Sequence, residues 1–170
     1  MKRIGLLSDT HGAIPETLFA FFESCDEIWH AGDIGDVATA DLLEPFRPLR
    51  AVFGNIDGQQ LRIRYPRHQR FLCEETDVWI THIGGYPGHY DPQVRDELLT
   101  RPPHLFICGH SHILKVIYDK KLELLHLNPG AAGSKGFHKV RTALRFSIDG
   151  RDIRDMEIWQ SERNPSSPAW

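Results

Sequence analysis

Short apolar runs alternate with helix-like segments in the N-terminal half of the chain. Strands are predicted at residues 3–8, 27–31 and 49–53, and helices between them at residues 15–24 and 37–46. Pro15 suits the first turn of a helix, where its missing N–H costs no hydrogen bond. This strand–helix–strand order predicts parallel strands joined by right-handed crossovers.

The C-terminal half has more strand-like patterns. Further strands are predicted at residues 70–74, 78–81, 105–108, 115–118, 122–127, 142–148 and 153–159, with one helix at 92–99. Asp149-Gly150 marks a hairpin between the last two strands. We therefore expect an α/β fold of two packed β-sheets with flanking helices. It would form one domain over residues 1–160, followed by a flexible tail over residues 161–170.

Composition narrows the class of protein. The 170 residues are 41% hydrophobic and 25% charged, and the net charge of −3 supplies no basic field for a dedicated nucleic-acid binder. Cys25, Cys73 and Cys108 are odd in number and far apart, which argues against a disulfide framework or a thiolate zinc site. No apolar stretch is long enough for a signal-peptide core or a membrane span. We expect a cytoplasmic protein with no membrane association.

Polar residues recur where the predicted strands end. The motifs are SDTHG, HAGDIGD, GNID, THIGG and GHSH, and their polar residues are Asp9, His11, Asp33, Asn55, His82, His110 and His112. Ligands of open α/β sheets bind at the carboxyl ends of the strands, so these side chains are expected to converge.

Two Asp, one Asn and four His exceed what one tetrahedral ion can use. A second cation, joined to the first by a shared carboxylate, accounts for the surplus. Asp9 with His11, and His110 with His112, are pairs at i and i+2, so each pair would face one way on an extended chain. The two histidines of GHSH could then serve different ions.

These motifs, followed by NPGAAG, resemble in type and order those of the calcineurin-like metallophosphoesterase superfamily, and especially its small branch of YfcE-type phosphodiesterases. The family fold is a four-layer sandwich, α/β/β/α, in which two mixed sheets pack face to face. The resemblance implies that the first metal is bound by Asp9, His11 and His112, and the second by Asn55, His82 and His110. Asp33 would bridge the two, and Asp33, Asn55 and His82 would form the catalytic set.

The activity implied by the resemblance is metal-assisted hydrolysis of a phosphodiester in a small phosphoester substrate, with a metal-activated water or hydroxide as the nucleophile. Nitrogen and oxygen ligands suit Mn, Fe, Zn, Co or Ni, and manganese is the first expectation by analogy with the family. Two alternatives stay open: a phosphomonoesterase or nucleotidase, and a non-catalytic scaffold like the retromer subunit that resembles this family. A homo-oligomer is also left open.

Ile56 departs from the wider superfamily, in which a histidine follows the GN dipeptide and assists the departing oxygen. Isoleucine cannot donate a proton, and general-acid help is typically worth roughly 10²- to 10⁴-fold. Esters with acidic leaving groups are therefore the expected substrates.

The remaining polar residues have less specific signals. His30 and Asp57 are expected behind the ligands, and Asp36 is expected to cap a helix. His89, Tyr90 and His138 are candidates for contact with substrate. The loop at residues 128–136 could cradle a phosphate or be a plain turn. The basic stretch, consisting of Arg62, Arg64, Arg67 and Arg70, favours a solvated face or an oligomer contact over a nucleotide site.

Overall fold

The computed structural model describes residues 1–163. It contains four helices and twelve strands in the described chain. The helices are α1 (Glu16–Phe21), α2 (Val37–Leu43), α3 (Gln59–Arg64) and α4 (Pro92–Thr100). The strands are β1 (Lys2–Leu7), β2 (Glu27–His30), β3 (Leu49–Ala51), β4 (His68–Cys73), β5 (Thr76–Thr81), β6 (Gly85–Tyr86), β7 (His89–Tyr90), β8 (Leu105–Ile107), β9 (Leu114–Asp119), β10 (Leu124–Pro129), β11 (Val140–Asp149) and β12 (Asp152–Glu162).

Ten of the strands form two mixed five-stranded sheets, and β6 and β7 pair as a separate hairpin. The first sheet has the order β12-β11-β1-β2-β3, with β1, β2 and β3 parallel. The second sheet has the order β4-β5-β8-β10-β9, with β5, β8 and β10 parallel. The predicted class, two mixed sheets with flanking helices, is confirmed.

The two sheets bury their facing sides against each other. Ile4 and Leu6 of β1 and Ile80 of β5 share one core cluster, together with Ile107 of β8. On the outer side of the first sheet, Leu7 packs with Leu18 of α1. On the outer side of the second, Trp79 and Phe106 pack with Val94 and Leu98 of α4. Since successive side chains of a strand point to opposite faces, each central strand serves both an inner and an outer core.

Several predicted strands run one or two residues too far at their carboxyl ends. The strands predicted over residues 3–8, 27–31 and 49–53 end at Leu7, His30 and Ala51. Residues 31, 52 and 53 are still apolar, but the backbone there already turns toward the polar loops. Helix α3 and the hairpin β6–β7 were missed: the apolar residues of α3, Leu61 and Ile63, are two positions apart, which is not a helical spacing, and two-residue strands have no periodicity.

The C-terminal strand β12 extends to Glu162, two residues into the range predicted as a tail. Residues 164–170, which make up the rest of that range, lie outside the described residues, so the tail stays a prediction. Among residues 1–163 no helix is both long and apolar enough to cross a bilayer.

Candidate metal centre

The seven predicted ligand residues follow the carboxyl ends of five parallel strands. Asp9 and His11 follow β1, Asp33 follows β2, Asn55 follows β3, His82 follows β5, and His110 and His112 follow β8. These strands belong to both sheets. The site therefore lies where the ends of the two stacked sheets meet, and residues 101 positions apart are in contact there: the His110 N–H donates to Asp9 Oδ2 at 3.1 Å.

The side chains form two groups, each with ligand atoms within 4.8 Å of one another: Asp9 with His11 and His112, and Asp33 with His82 and His110. In the first group His112 Nε2 lies 3.2 Å from Asp9 Oδ1, and His11 Nε2 lies 3.7 Å from it. Ligands on one ion with bonds of about 2.1 Å are about 3.0–3.4 Å apart, so these separations suit a shared cation with small adjustments.

Asp33 lies between the two groups. Its Oδ2 is 3.2 Å from His82 Nε2 and 3.7 Å from His11 Nε2, which belongs to the other group. Its Oδ1 accepts the N–H of Ile56 at 3.1 Å, which fixes the orientation of the carboxylate. Asn55 lies beside the second group, because its Oδ1 is 3.0 Å from His110 Nδ1.

Several buried polar atoms at this site have no hydrogen-bond partner. In the described chain four such side-chain atoms occur, and three of them are Asp9 Oδ1, His11 Nε2 and His82 Nε2. Buried polar groups are nearly always hydrogen-bonded, so three orphans in one place require an explanation. Divalent cations accept electron pairs from carboxylate oxygen and from imidazole nitrogen alike. This set of donor atoms therefore fits divalent cations.

Hydrogen bonds at the back of the ligands leave the inner atoms free. The Nδ1 of His82 donates to the carbonyl of Ala31 at 2.7 Å. Its Nε2 is then unprotonated and directs its lone pair into the site. On Asp9, Oδ2 accepts the Ser8 hydroxyl at 2.6 Å, and Oδ1 has no such partner. Supporting bonds of this kind set the tautomer and orientation of metal ligands.

His138 lies behind His112. Its Nε2 donates to the carbonyl of Gly133 at 2.8 Å, so its Nδ1 is the acceptor, 3.2 Å from His112 Nδ1. His112 must then carry its proton on Nδ1, and its Nε2 is free to face Asp9. This placement favours a role in orienting His112, and contact of His138 with substrate stays a prediction.

The ligand residues have strained backbones. Among residues 1–163, eight residues other than glycine have positive φ, and five of them are predicted ligands: Asp9, His11, Asp33, His110 and His112. The expectation that the i and i+2 pairs lie on an extended chain is therefore wrong. Each pair lies in a tight turn beyond its strand, where the left-handed conformation aims the side chains inward.

Asp57 joins the loop that carries Asp33 to the loop that carries Asn55. Its Oδ2 accepts the N–H groups of Ile34 at 3.1 Å and Gly54 at 2.8 Å, and its Oδ1 accepts that of Gly35 at 2.9 Å. Carboxylates that accept several backbone N–H groups hold loops firmly. Asp57 thus braces these two loops, and its role behind the metal ligands stays a prediction.

His30 supports the same loops from inside the core. Its Nδ1 accepts the Gly32 N–H at 3.1 Å, so its Nε2 donates to the Thr10 hydroxyl, 3.0 Å away, which itself donates to the carbonyl of Ile34. Burial lowers the pKa of His30 to about 4, and the imidazole is neutral at pH 7.

The surroundings of Asp9 favour its anionic form. Burial would raise the pKa of Asp9, but the neighbouring imidazoles of His11 and His112 outweigh it, and the pKa lies well below its usual range. Burial works against a charged His82, yet its contact with Asp33 raises the pKa above the usual value. Binding of a cation by these groups would be coupled to the release of their protons.

The other sequence candidates lie at the edge of the site. His89 is exposed on the hairpin, whereas Tyr90 is buried and donates its hydroxyl to Asp119 at 2.6 Å. In the loop after β10, the N–H groups of Ala132 and Gly133 donate to the carbonyls of Ser8 and Asp9. That loop therefore braces the turn of Asp9, and these two N–H groups are not available to a phosphate.

The predicted basic stretch is not one surface. Arg64 pairs with Asp41 and Glu44, and Arg70 pairs with Asp77. Arg62 donates to the carbonyls of Asp57 and Asn55 and so braces the Asn55 loop. Together with Arg67, it lines a cavity of about 130 Å³ that also contacts Asn55 and His82.

Sequence reasoning missed a second cavity. It lies between the hairpin and the His110 loop, and its lining includes Tyr86, Ser111 and Lys115. The rich turn composition of residues 84–92 marked the hairpin as a rim, but only the structure brings Lys115 of β9 against it.

A sandwich of two mixed sheets with two carboxylate–imidazole groups at the strand ends defines a candidate metal-binding protein. Residues 1–151 match the calcineurin-like phosphoesterase superfamily domain. A probable metallophosphoesterase from Methanothermobacter thermautotrophicus is 33% identical over 135 residues, which cover 75% of this chain and 76% of that protein. A second one, from Methanocaldococcus jannaschii, is 32% identical over 136 residues, covering 75% and 67%. The chain belongs to the calcineurin-like phosphoesterase superfamily.

Solved structures share the fold. An archaeal phosphodiesterase has a TM-score of 0.73 at 20% identity, covering 92% of this chain and 99% of that one. Vps29 of Entamoeba histolytica, solved with Zn²⁺, has a TM-score of 0.74 at 15% identity, covering 95% and 99%. At such identities these similarities establish the fold alone. One of the two proteins is described as a phosphodiesterase and the other as Vps29, so the shared fold does not by itself indicate a function.

Proposed function

We propose that the protein hydrolyses phosphodiesters at a centre of two divalent cations, manganese being the first expectation. The observation that carries the proposal is the place of Asp33 Oδ2, between His82 Nε2 of one ligand group and His11 Nε2 of the other. When bound, two cations at such a centre supply an activated water and neutralise charge on the phosphoryl oxygens.

The chain's own residues would divide the work. Asp9, His11 and His112 would hold the first ion, Asn55, His82 and His110 the second, and Asp33 both. The Ile56 N–H on Asp33 Oδ1 and the Ala31 carbonyl on His82 Nδ1 keep two of these ligands in place before substrate arrives. Preorganisation of this kind avoids reordering during the reaction.

The leaving group receives no acid from the position where the wider superfamily has histidine. Ile56 is 47% exposed beside the site, and its side chain offers no proton. Phosphodiesters with acidic alcohols or phenols as leaving groups are therefore the favoured class. The cytoplasm stays the expected compartment, on the sequence patterns alone.

A second candidate function is a scaffold that binds another protein. Its support is the edge strand β9, which exposes Val116, Ile117 and Tyr118, with Ile113 just before it. Exposed apolar edges of sheets commonly pair with other chains. The same surface would serve a homo-oligomer.

Metal reconstitution separates these functions. Purified protein is analysed for bound metal, stripped with chelator, and reloaded in turn with Mn, Fe, Zn, Co and Ni. Hydrolysis of bis(p-nitrophenyl) phosphate well above that of p-nitrophenyl phosphate supports the diesterase. The reverse preference supports a monoesterase, and a metal-replete protein inert toward both contradicts the enzymatic proposal.

A further inference from the structure

A groove of about 360 Å³ adjoins the second ligand group. Its wall includes His110 itself, so the groove is continuous with the candidate metal centre. The lining also includes the hairpin β6–β7, Ser111, and Lys115 of β9. This size and position suit a substituent of a molecule whose phosphate lies at the metals.

An aromatic side chain forms one wall of the groove. Tyr86 is 39% exposed, the Lys115 ammonium lies 3.5 Å from the centre of its ring, and the rings of Tyr86 and His89 are 4.9 Å apart. The contacts with Lys115 and His89 hold Tyr86 in one orientation. An ordered ring facing a cavity is a surface on which another planar ring can pack.

Two polar groups of the groove can donate to oxygen atoms of an ester, and the carboxylate of Asp91, which also lines it, already accepts the Gln93 N–H at the start of α4. The Ser111 oxygen accepts hydrogen bonds from the Ile113 N–H and from Asn128 Nδ2, so its own hydroxyl proton can be donated to a ligand. Lys115 adds a positive charge with three donors. Both groups are donors, as required for the carbonyl or nitro oxygens of an aromatic ligand or for a phosphoryl oxygen.

We propose that this groove binds a planar aromatic substituent, aryl or nucleobase, of the phosphodiester substrate. The inference rests on the proposed function only in placing the phosphate at the metal centre. Tyr86 and Lys115 are positioned to select such substrates over alkyl esters, and Ser111 to orient the ring.

Binding without turnover tests the groove directly. The metal-loaded protein is titrated calorimetrically with phenylphosphonate and with methylphosphonate, which share one head group and cannot be hydrolysed as esters. The phenyl compound is expected to bind about 10-fold more tightly, in line with typical ring stacking. Tyr86→Ala should reduce this ratio to about 2-fold or less, whereas Tyr86→Phe, which keeps the ring, should preserve it.

Tyr118→Ala is the matched control, because Tyr118 is an exposed tyrosine that does not line the groove. It should leave the ratio unchanged. Equal affinities in the wild type, or a preference that survives Tyr86→Ala, would overturn the proposal. If no metal supports hydrolysis of any ester while the phenyl preference holds, the proposed function fails and the groove stands.

A kinetic comparison separates nucleobase from simple aryl ligands. Thymidine 5′-(p-nitrophenyl phosphate) and methyl p-nitrophenyl phosphate have the same leaving group, so a difference in kcat/KM reports the retained substituent. A preference for the thymidine ester that Tyr86→Ala removes supports a nucleobase in the groove. A phenylphosphonate preference without a thymidine preference supports an aryl substituent.

Discussion

Five of the predicted ligand residues hold left-handed backbone conformations, at a cost on the order of 1 kcal/mol or more each. Aspartate and histidine tolerate this region better than most residues, but the strain persists only because the surrounding loops enforce it. The turns of Asp9 and Asp33 are fixed by backbone bonds, such as the His11 N–H on the Asp33 carbonyl. The strained backbone of these residues lowers stability, and it places their ligand atoms in the site.

Asp33→Asn should reduce hydrolysis at least 10²-fold and lower the bound metal below two ions per chain, because the amide brings no charge to the space between the ligand groups. Metal analysis together with diester kinetics provides the measurement. Asp155→Asn is the control: Asp155 is exposed on β12 and has φ of 57°, against 56° for Asp33. Full activity and metal content in Asp33→Asn would contradict the assignment.

His138→Phe should lower metal affinity about 10- to 100-fold, as is typical when a group supporting a metal ligand is lost. The ring fills the same space but cannot accept the proton of His112 Nδ1. Affinity is measured by chelator competition. His138→Gln, which can still accept, should recover part of the loss, and equal effects of both variants would argue against the hydrogen bond as the cause.

Ile56→His should increase hydrolysis of diesters with alkyl leaving groups about 10-fold more than that of nitrophenyl esters, because only poor leaving groups need a proton. The side chain is exposed beside Asn55, so the new imidazole can reach solvent and site without disturbing the core. The ratio of kcat values for the two ester types is the readout. An unchanged ratio would remove the leaving-group explanation.

Loops following the strands hold the ligands through very close backbone packing. A Cβ on Gly54 would lie 2.0 Å from Asp33 Oδ1 and 2.3 Å from the Asp33 nitrogen. The loop after β3 therefore reaches Asp33 only because residue 54 has no side chain. The cap of α2 fixes the other end of the Asp33 loop, since Asp36 Oδ1 accepts the Thr39 N–H at 2.8 Å as its position predicted.

Gly54→Ala should separate the Asp33 and Asn55 loops and abolish most activity, while Gly58→Ala four residues later should not. A Cβ at Gly58 meets nothing within 4 Å, and its φ of −80° suits any residue. Comparing metal content and kcat/KM in this pair isolates the steric effect from the loss of backbone freedom. Similar activities in both variants would show that the loops do not need this contact.

The molecule as a whole should lose stability as the pH falls from 7 to 4. Burial lowers the pKa of both His30 and His126 from 6.5 to about 4. In this pH range the unfolded chain therefore binds protons that the folded chain does not. Protonation of each histidine in the unfolded chain lowers the free energy of unfolding by on the order of 3 kcal/mol across this interval. The free energy of unfolding keeps its full value with respect to these two histidines above pH 6.5, and it falls progressively below that pH.

His126→Gln should make the free energy of unfolding less dependent on pH between 6.5 and 4. Urea titrations at several pH values, with chelator present in every sample, measure it, and protonation of the metal ligands is common to both proteins. His126 lies inside the second sheet, where Nδ1 donates to the Phe106 carbonyl, away from the ligands. An unchanged pH dependence would mean that His126 is not neutral in the folded state.

Much of the fold was predictable, because strand-forming runs have a local signature. The order of strands and helices through residue 163 follows the apolar pattern, and the short elements α3 and β6–β7 were missed because they have almost none. The same reason explains the missed groove residues: Tyr86 and Lys115 are separated by 28 residues and share no motif. His138 was noticed, but its contact with His112 depends on how the β10–β11 loop folds back.

The sequence by itself determined which side chains are candidates for metal ligands and which strand each one follows, because strand periodicity and the motifs are local properties. Only the tertiary structure decided which ligands face one another: the ends of two separate sheets must stack before Asp9 meets His110 and His112. It also decided the left-handed turns, the support of His112 by His138, and the groove beside His110. All of these depend on long-range packing, which no short stretch of sequence contains.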